Sequence, residues 1–433
     1  MGNFAHRQVA KALVINGLSP TATDGEQEIE HHGHRSQLKY HCLSKMERII
    51  GKREIQKIVI IHKKWYLYHE LENICSMRYL NITKAIEAWK GIQPLSERDR
   101  ERLSRKFTVD FNFNSNHIEG NTLTYGQTEL LLLFGKVTGE AQMKDLEEMK
   151  ASNVGLKMMQ EQARLKDMPL TQNFIRQLHK TLIREDYTVH TKLPGGQQGS
   201  YVIHAGQYKT RPNSVITRYG DRFEYASPKE TPALMTDLVN WYNEEEQRGR
   251  LSPMELAALF HYRYIRIHPF EDGNGRIARL MVNYILARHD YPMIVVRSRD
   301  KQNYLEALHQ ADLEVGPTPS IGAHAPLEHI RPFLRYFSAL AAEEIYNDVR
   351  FVTEPDENVW WYDGQRVEFR TPNYAKILRA MQSQPSVTIE SLRELTGINK
   401  SAVQRLLGSL KEKGYIEAKD TAGGWRVLIT PSV

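Results

Sequence analysis

Apolar positions recur at three- and four-residue intervals through most of the middle of this chain, the period of helices that each bury one face. Residues 94–107 are charged and helix-compatible, and Phe111 and Phe113 carry the pattern into Ser115-Asn-His-Ile-Glu119-Gly120-Asn121. Thr124 to Phe134 predicts a helix with Thr124 as its N-cap, because a hydroxyl there can accept from first-turn amides. Two more helices are expected over 139–166 and 171–185. Pro169 separates them, and Thr171 is placed to cap the second. Between Lys192 and Pro232 the texture changes: Gly195, Gly196, Gly199, Gly206, Pro212, Gly220 and Pro228 interrupt short β-like runs, which predicts loops and a small hairpin. Helices return over 232–247, over 253–267, and from near Gly275 to near Arg288. In the last of these Ile277, Leu280, Met281 and Tyr284 share one face while the first turn is polar and basic. An apolar stripe therefore anchors a helix whose start is left for chemistry.

Residues 371–433 read as a separate unit of three short helical patterns followed by two strands around Ala422–Gly423–Gly424. That order resembles the winged-helix family, with 399–413 in the position of its recognition helix. Nine Lys and Arg against five Asp and Glu give this tail a net charge of +4. Contact with DNA through 399–413 and packing against protein both remain open.

Composition narrows the classes. A chain of 433 residues with 41% hydrophobic and 25% charged residues is globular, long enough for roughly three units. Its formal charge of +6 permits acidic partners without requiring them. Two cysteines, Cys42 and Cys75, exclude a disulfide framework and fit a reducing compartment. No apolar run approaches a membrane span and no secretory signal opens the chain, so a cytoplasmic protein with no membrane contact is expected. Residues 1–93 form an extension and helical region in which His31, His32 and His34 read as solvated surface, as do the seven Lys and Arg between Lys45 and Lys64.

The chemistry concentrates in H268-P-F-E-D-G-N-G-R-I-A-R279. A neutral imidazole at His268 can take a proton from a hydroxyl near working pH. Asp272 can hold a hard divalent cation through its carboxylate while leaving positions for water and phosphate. Glycines let a backbone approach an anion, and the amides at a helix start can hold phosphate oxygens, so Gly273, Asn274 and Gly275 suit a phosphate group. Arg276 and Arg279, three apart, can fork onto different phosphates.

This segment resembles the Fic family, whose pattern HxFx(D/E)GNGRxxR it matches at every specified position. The resemblance implies a mainly α fold: a Fic-type helical core over 94–345 with a small β-hairpin flap, followed by the winged helix at 371–433. It also implies transfer of AMP from ATP, with Mg²⁺, to a Ser, Thr or Tyr hydroxyl of a protein. His268 then looks like the base and Asp272 like the magnesium ligand. Residues 273–275 look like the phosphate cradle, Arg276 and Arg279 like the polyphosphate clamp, and Phe270 like an anchor for the loop.

Upstream, Ser115, Glu119 and Gly120 match the (S/T)xxxE(G/N) motif of inhibited family members. The resemblance implies an inhibitory helix near 112–121 that pairs Glu119 with Arg279, and some such members use this glutamate to help remove AMP. Residues 206–227 resemble the flap that pins the target segment. Tyr208, Lys209, Val215 and Ile216 fall in it, and Lys209 stands where many relatives carry arginine. Arg299 and Tyr304 resemble positions near the family's nucleotide site. Removal of AMP, use of another nucleotide, and a DNA-binding regulator that only senses nucleotide stay open as alternatives. So do self-modification and a homo-oligomer.

Overall fold

A computed structural model describes residues 81–137, 140–192, 198–216, 222–383, 387–418 and 424–432, all within one unit that begins at Ile74. The histidine cluster, the basic run at 45–64 and both cysteines lie outside the described residues.

Helix α1 (Glu97–Ile118) runs unbroken through what the pattern divides into two segments. The Ser96 hydroxyl starts it by accepting the Asp99 amide at 3.1 Å, and it ends on Glu119. The Ser115–Gly120 motif therefore falls at the last turn and end of a 22-residue helix, a longer element than the expected 112–121. A reciprocal capping box of Thr124 and Gln127 opens α2 (Tyr125–Phe134), and Gly135 in the left-handed region closes it. Helix α3 (Met143–Arg164) starts later than expected, and α4 (Gln172–Ile183) is capped by Thr171 as its sequence requires. Two antiparallel hairpins follow where the pattern predicts one. Strand β1 (Tyr187–Lys192) pairs with β2 (Gln198–Ile203), and β3 (Ser214–Ile216) with β4 (Arg222–Glu224).

Helices α5 (Thr231–Arg248), α6 (Pro253–Ile267) and α7 (Asn274–Arg288) build the centre. Every residue of α7 from Arg276 to Leu286 is buried, so this helix is enclosed on all sides instead of by one stripe. It packs against α6, α3, α4 and α1, which fixes its N-terminus at the meeting point of the domain. Helix α8 (Lys301–Val315) and α9 (Arg331–Thr353) close the core, and α9 carries it past the expected limit at 345.

The C-terminal module contains α10 (Pro372–Ser383), α11 (Ile389–Thr396) and α12 (Lys400–Glu412) around Ile377, Leu378, Leu392, Val403, Leu407 and Leu410. A hairpin of β5 (Val359–Tyr362) and β6 (Gln365–Glu368) precedes it, outside the expected 371–433. Strands β7 (Ile416–Ala418) and β8 (Trp425–Val427) form the wing, and β9 (Thr430–Pro431) returns to pair with β5. Alternation along β5 divides its side chains between two cores: Trp360 joins the winged-helix cluster, while Val359 and Trp361 join Leu103 and Phe351.

The turn of that hairpin is clasped to α1. Asp363 accepts from Asn114 Nδ2 at 2.7 Å and pairs with Arg297 and Arg299, each at 3.0 Å. Arg297, itself buried, also pairs with Glu344 at 2.6 Å and Asp110 at 3.1 Å. Truncating Asp363 to alanine strips one acceptor from three donors. We expect a loss of about 1–3 kcal/mol, read in urea unfolding as a lower midpoint at unchanged slope; an unmoved midpoint contradicts the clasp.

Candidate active site

The HPFEDGNGRIAR turn starts where α6 stops. His268 is the C-cap of α6, with φ 51° and ψ 61°, and its amide donates to the Tyr264 carbonyl at 2.9 Å. A non-glycine residue in the left-handed region persists only where its surroundings over-determine it. Here they do. Phe270 is fully buried and lies flat on His179, with ring centroids 3.8 Å apart. Asn274 then ties the same residue from both sides, donating to the Phe270 carbonyl at 2.7 Å and accepting its amide at 3.0 Å.

The His268 imidazole stacks on Tyr225 at 3.9 Å. Its Nδ1 is buried and the Ile265 backbone offers the ring a hydrogen bond, which leaves Nε2 as the nitrogen available to a substrate. Burial, reinforced by the nearby Lys209 cation, pushes the imidazole down to about 3. It is therefore neutral, as a base must be, through the physiological range.

His268, Gly275, Arg279, Glu119, Tyr225 and Tyr304 line one cavity of about 580 Å³, a size that suits a small-molecule ligand. Arg279 is held there by the end of α1. Its Nε donates to Ser115 Oγ at 3.0 Å, and its Nη2 donates to the Ser115 carbonyl at 2.8 Å and to Glu119 Oε1 at 2.6 Å. Ser115 lies in the last turn, so its hydroxyl serves the arginine and caps no helix. A Cβ at 275 would meet the tip of the Glu119 side chain, so the glycine is what lets that carboxylate lie against the start of α7. Gly120, with φ 99°, lets the chain turn away directly after Glu119. Lys301 Nζ holds the preceding Ile118 carbonyl at 2.6 Å.

Asp272 and Arg276 face elsewhere. They line a smaller cavity of about 250 Å³ together with Tyr187, Lys144, Glu148 and Arg184. The Asp272 carboxylate accepts from the Gly273 amide at 2.7 Å and the Tyr187 hydroxyl at 2.8 Å, with Arg276 at 3.4 Å. Arg276 and these donors hold it ionised, below the usual carboxylate range, against its own burial. The expected pair of clamp arginines is thus divided between two cavities. Asn274 contributes backbone alone to the cradle, since its side chain is spent on Phe270. The first amides of α7 remain without intrahelical partners.

Other expected residues are distributed more widely. Tyr304 lines the larger cavity, and its hydroxyl bonds His261 Nε2 at 2.8 Å. Arg299 instead donates to Asp363 and does not line the cavity. Val215 and Ile216 sit on β3, but Tyr208 and Lys209 precede the hairpin. Tyr208 donates its hydroxyl to Gln172 at 2.9 Å, and Lys209 is buried beneath the turn after α6. Tyr225 and Tyr187 carry no local signal in the sequence, because their partners His268 and Asp272 lie far along the chain.

Three histidines of this region, His179, His261 and His268, are pushed down by burial to about 4, 3 and 3 respectively. In the unfolded chain they bind protons near pH 6.5, so their contribution to stability is complete above that pH and drains as pH falls toward 4 and below. Thermal melts near pH 7 and near pH 5 should show the lower midpoint in acid; equal midpoints contradict buried neutral imidazoles.

Comparison with known proteins places two families along the chain. The Fic/DOC family model covers residues 169–286, and the MarR family model covers 370–426. The chain is 26% identical over 259 residues to protein adenylyltransferase fic-1 of Caenorhabditis elegans, covering 60% of this chain and 44% of that protein. It is 28% identical over 224 residues to protein adenylyltransferase Fic of Nematostella vectensis, covering 52% of this chain and 44% of that protein. The chain thus spans less than half the length of these curated relatives. A crystal structure of a Fic domain containing signaling protein from Bacteroides thetaiotaomicron superposes with a TM-score of 0.58 at 54% identity, covering 62% of this chain and 96% of that one. With that identity spanning nearly the whole solved structure, and with HPFEDGNGRIAR forming the turn between α6 and α7, the chain belongs to the Fic/DOC family and carries a MarR-type winged helix at its C-terminus.

Proposed function

We propose that the chain transfers AMP from ATP to a hydroxyl of a protein, and that Glu119 restrains the transfer. The observation that carries this reading is the shared cavity: a neutral His268 and the buried cation Arg279 line it together, with the Glu119 carboxylate on that cation. Relatives named protein adenylyltransferase support the reaction class.

In this mechanism, Nε2 of His268 takes the proton of the attacking hydroxyl as its oxygen bonds to the α-phosphorus, and pyrophosphate leaves with the bridging oxygen. The free amides at the start of α7 oppose the charge that builds on the phosphoryl oxygens. Arg279 receives the terminal phosphate once Glu119 withdraws; while paired, the carboxylate both occupies the guanidinium and places negative charge beside the polyphosphate. Asp272, ionised and 44% exposed, suits Mg²⁺, an ion commonly held by one or two carboxylates plus substrate phosphates. Bound there, the ion would neutralise charge on those phosphates that reach past the start of α7 from the larger cavity toward Asp272. β3 and β4 would receive the target segment by main-chain pairing.

Label placed in the α-phosphate of ATP should remain on protein after incubation with the Glu119→Gly variant, while label in the γ-phosphate should not. Retention of γ-label would establish phosphoryl transfer instead. Loss of AMP from a modified target, with no transfer in either variant, would favour removal as the main reaction.

A second reading, contact with duplex DNA, draws support from α12, which exposes Ser401, Gln404, Arg405, Gly408 and Lys411 along one face. Binding that weakens with salt and drops on neutralising Arg405 and Lys411 would support it; binding indifferent to both changes would count against it.

A further inference from the structure

Four consecutive carbonyls of the catalytic turn, those of residues 267 to 270, are all taken by one short segment just ahead of β3. Lys209 Nζ donates to the Ile267 carbonyl at 3.0 Å and to the His268 carbonyl at 2.9 Å. The Lys209 amide donates to the Pro269 carbonyl at 2.9 Å. Asn213 Nδ2 donates to the Phe270 carbonyl at 3.1 Å, and Asn213 Oδ1 accepts the third ammonium proton of Lys209 at 2.8 Å. Lys209 is only 3% exposed, so all three of its protons are committed.

The last carbonyls of a helix have no partners within it, and a cation at that end meets both their lone pairs and the negative end of the helix dipole. Lys209 does this for α6 at the residue where the backbone enters the left-handed region. Asn213 directly precedes Ser214, the first residue of β3. One staple therefore joins the base to the strand that, on the reading above, receives the target.

Resting on that reading, we propose that Lys209 is a positioning residue: with Asn213 it fixes the imidazole of His268 against the β3–β4 hairpin, so that the base meets a hydroxyl presented there. The site has few other charges. Glu230, the residue before α5, is the carboxylate that favours the Lys209 cation, His268 is neutral, and Glu271 is turned to the neighbouring Thr210. Burial lowers the ammonium from its ordinary 10.5 to about 7. A neutral amine has only two protons for three acceptors, so the staple weakens as pH rises through that value. Arginine in its place stays charged.

The test uses the full chain carrying Glu119→Gly, with Lys209→Met and Lys209→Arg added separately, and isotope-labelled histidine to follow the His268 ring by NMR. Lys209→Met should lower kcat by roughly 100-fold, the scale of a small misplacement at a reacting centre, with KM for ATP nearly unchanged and the His268 resonance shifted or broadened. Lys209→Arg should restore most of kcat and abolish the fall in rate above about pH 7. If Lys209→Met leaves kcat and the His268 resonance unmoved, or shifts kcat, KM and the melting midpoint together with His268 unmoved, the positioning role is wrong. If Lys209→Met does not fold, the Lys209→Arg pH profile decides alone, and an unchanged alkaline limb overturns the proposal. A parent that transfers no AMP while Lys209→Met displaces the His268 signal would remove the transfer reading and leave the positioning intact.

Discussion

Replacing Glu119 with glycine raises the initial rate of AMP transfer roughly 10- to 100-fold. A charge-assisted hydrogen bond to a buried group is worth about 1.5–3 kcal/mol, and each 1.36 kcal/mol corresponds to about tenfold in rate. The Glu119–Arg279 contact, at 2.6 Å with the guanidinium 3% exposed, is of that kind. ATP has to displace it before the terminal phosphate can meet the arginine. Glycine removes the carboxylate without touching the two Ser115 oxygens that keep Arg279 oriented. The variant should therefore gain rate while staying folded. Radiometric initial rates on both proteins at matched ATP check this, and equal rates from equally folded proteins contradict it.

The second large effect runs the other way. In the Glu119→Gly protein, His268→Ala lowers transfer by about 10²–10⁴-fold, the usual contribution of a positioned general base. ATP binding should persist, because Arg279 and the amides at the start of α7 are left in place. The imidazole is pushed down to about 3, so the base is unprotonated at any pH above that value. Transfer should accordingly show no loss between about pH 8 and pH 6 that follows the titration of an ordinary histidine near 6.5. A His268→Ala protein that retains the parent's rate would remove this residue from the reaction, and a limb near pH 6.5 would mean that the ring is more solvated than its stacking on Tyr225 and buried Nδ1 imply.

Much of this was legible in the sequence because the signals are local. Thr124, Thr171 and the apolar repeats mark helix starts and faces through their own neighbours, and the spacing from His268 to Arg279 spans a single turn and helix. The pairing of Glu119 with Arg279 was expected from the resemblance, and the ion pair is present. What the chain concealed depends on residues distant in sequence. The burial of α7 on every side arises from α1, α3, α4 and α6 packing around it, which no stripe within 274–288 announces. The length of α1 was obscured by the asparagines at 112, 114 and 116, poor helix formers that are retained because each amide nitrogen donates to the carbonyl four residues earlier. Asn274 lies in the turn between two glycines, as the motif has it, but that its side chain is claimed by Phe270, four residues away, is not announced by its position. Lys209 read as a flap residue from its place near a hairpin; the acceptors that define its role are more than 50 residues downstream. The β5–β6 hairpin carries little periodic signal of its own and is fixed by Asp363 meeting Asn114, Arg297 and Arg299.

The most direct test of the central claim is intact-protein mass spectrometry after incubation with ATP and Mg²⁺ and with the proteins of a lysate as acceptors. It compares the natural sequence, Glu119→Gly, and the double variant Glu119→Gly, His268→Ala. The account predicts an added mass of one AMP, on this chain or on an acceptor, that is sparse in the first sample, abundant in the second and absent from the third. Equal adducts in the first two samples, or an undiminished adduct in the third, would contradict a base at His268 restrained through Glu119 and Arg279.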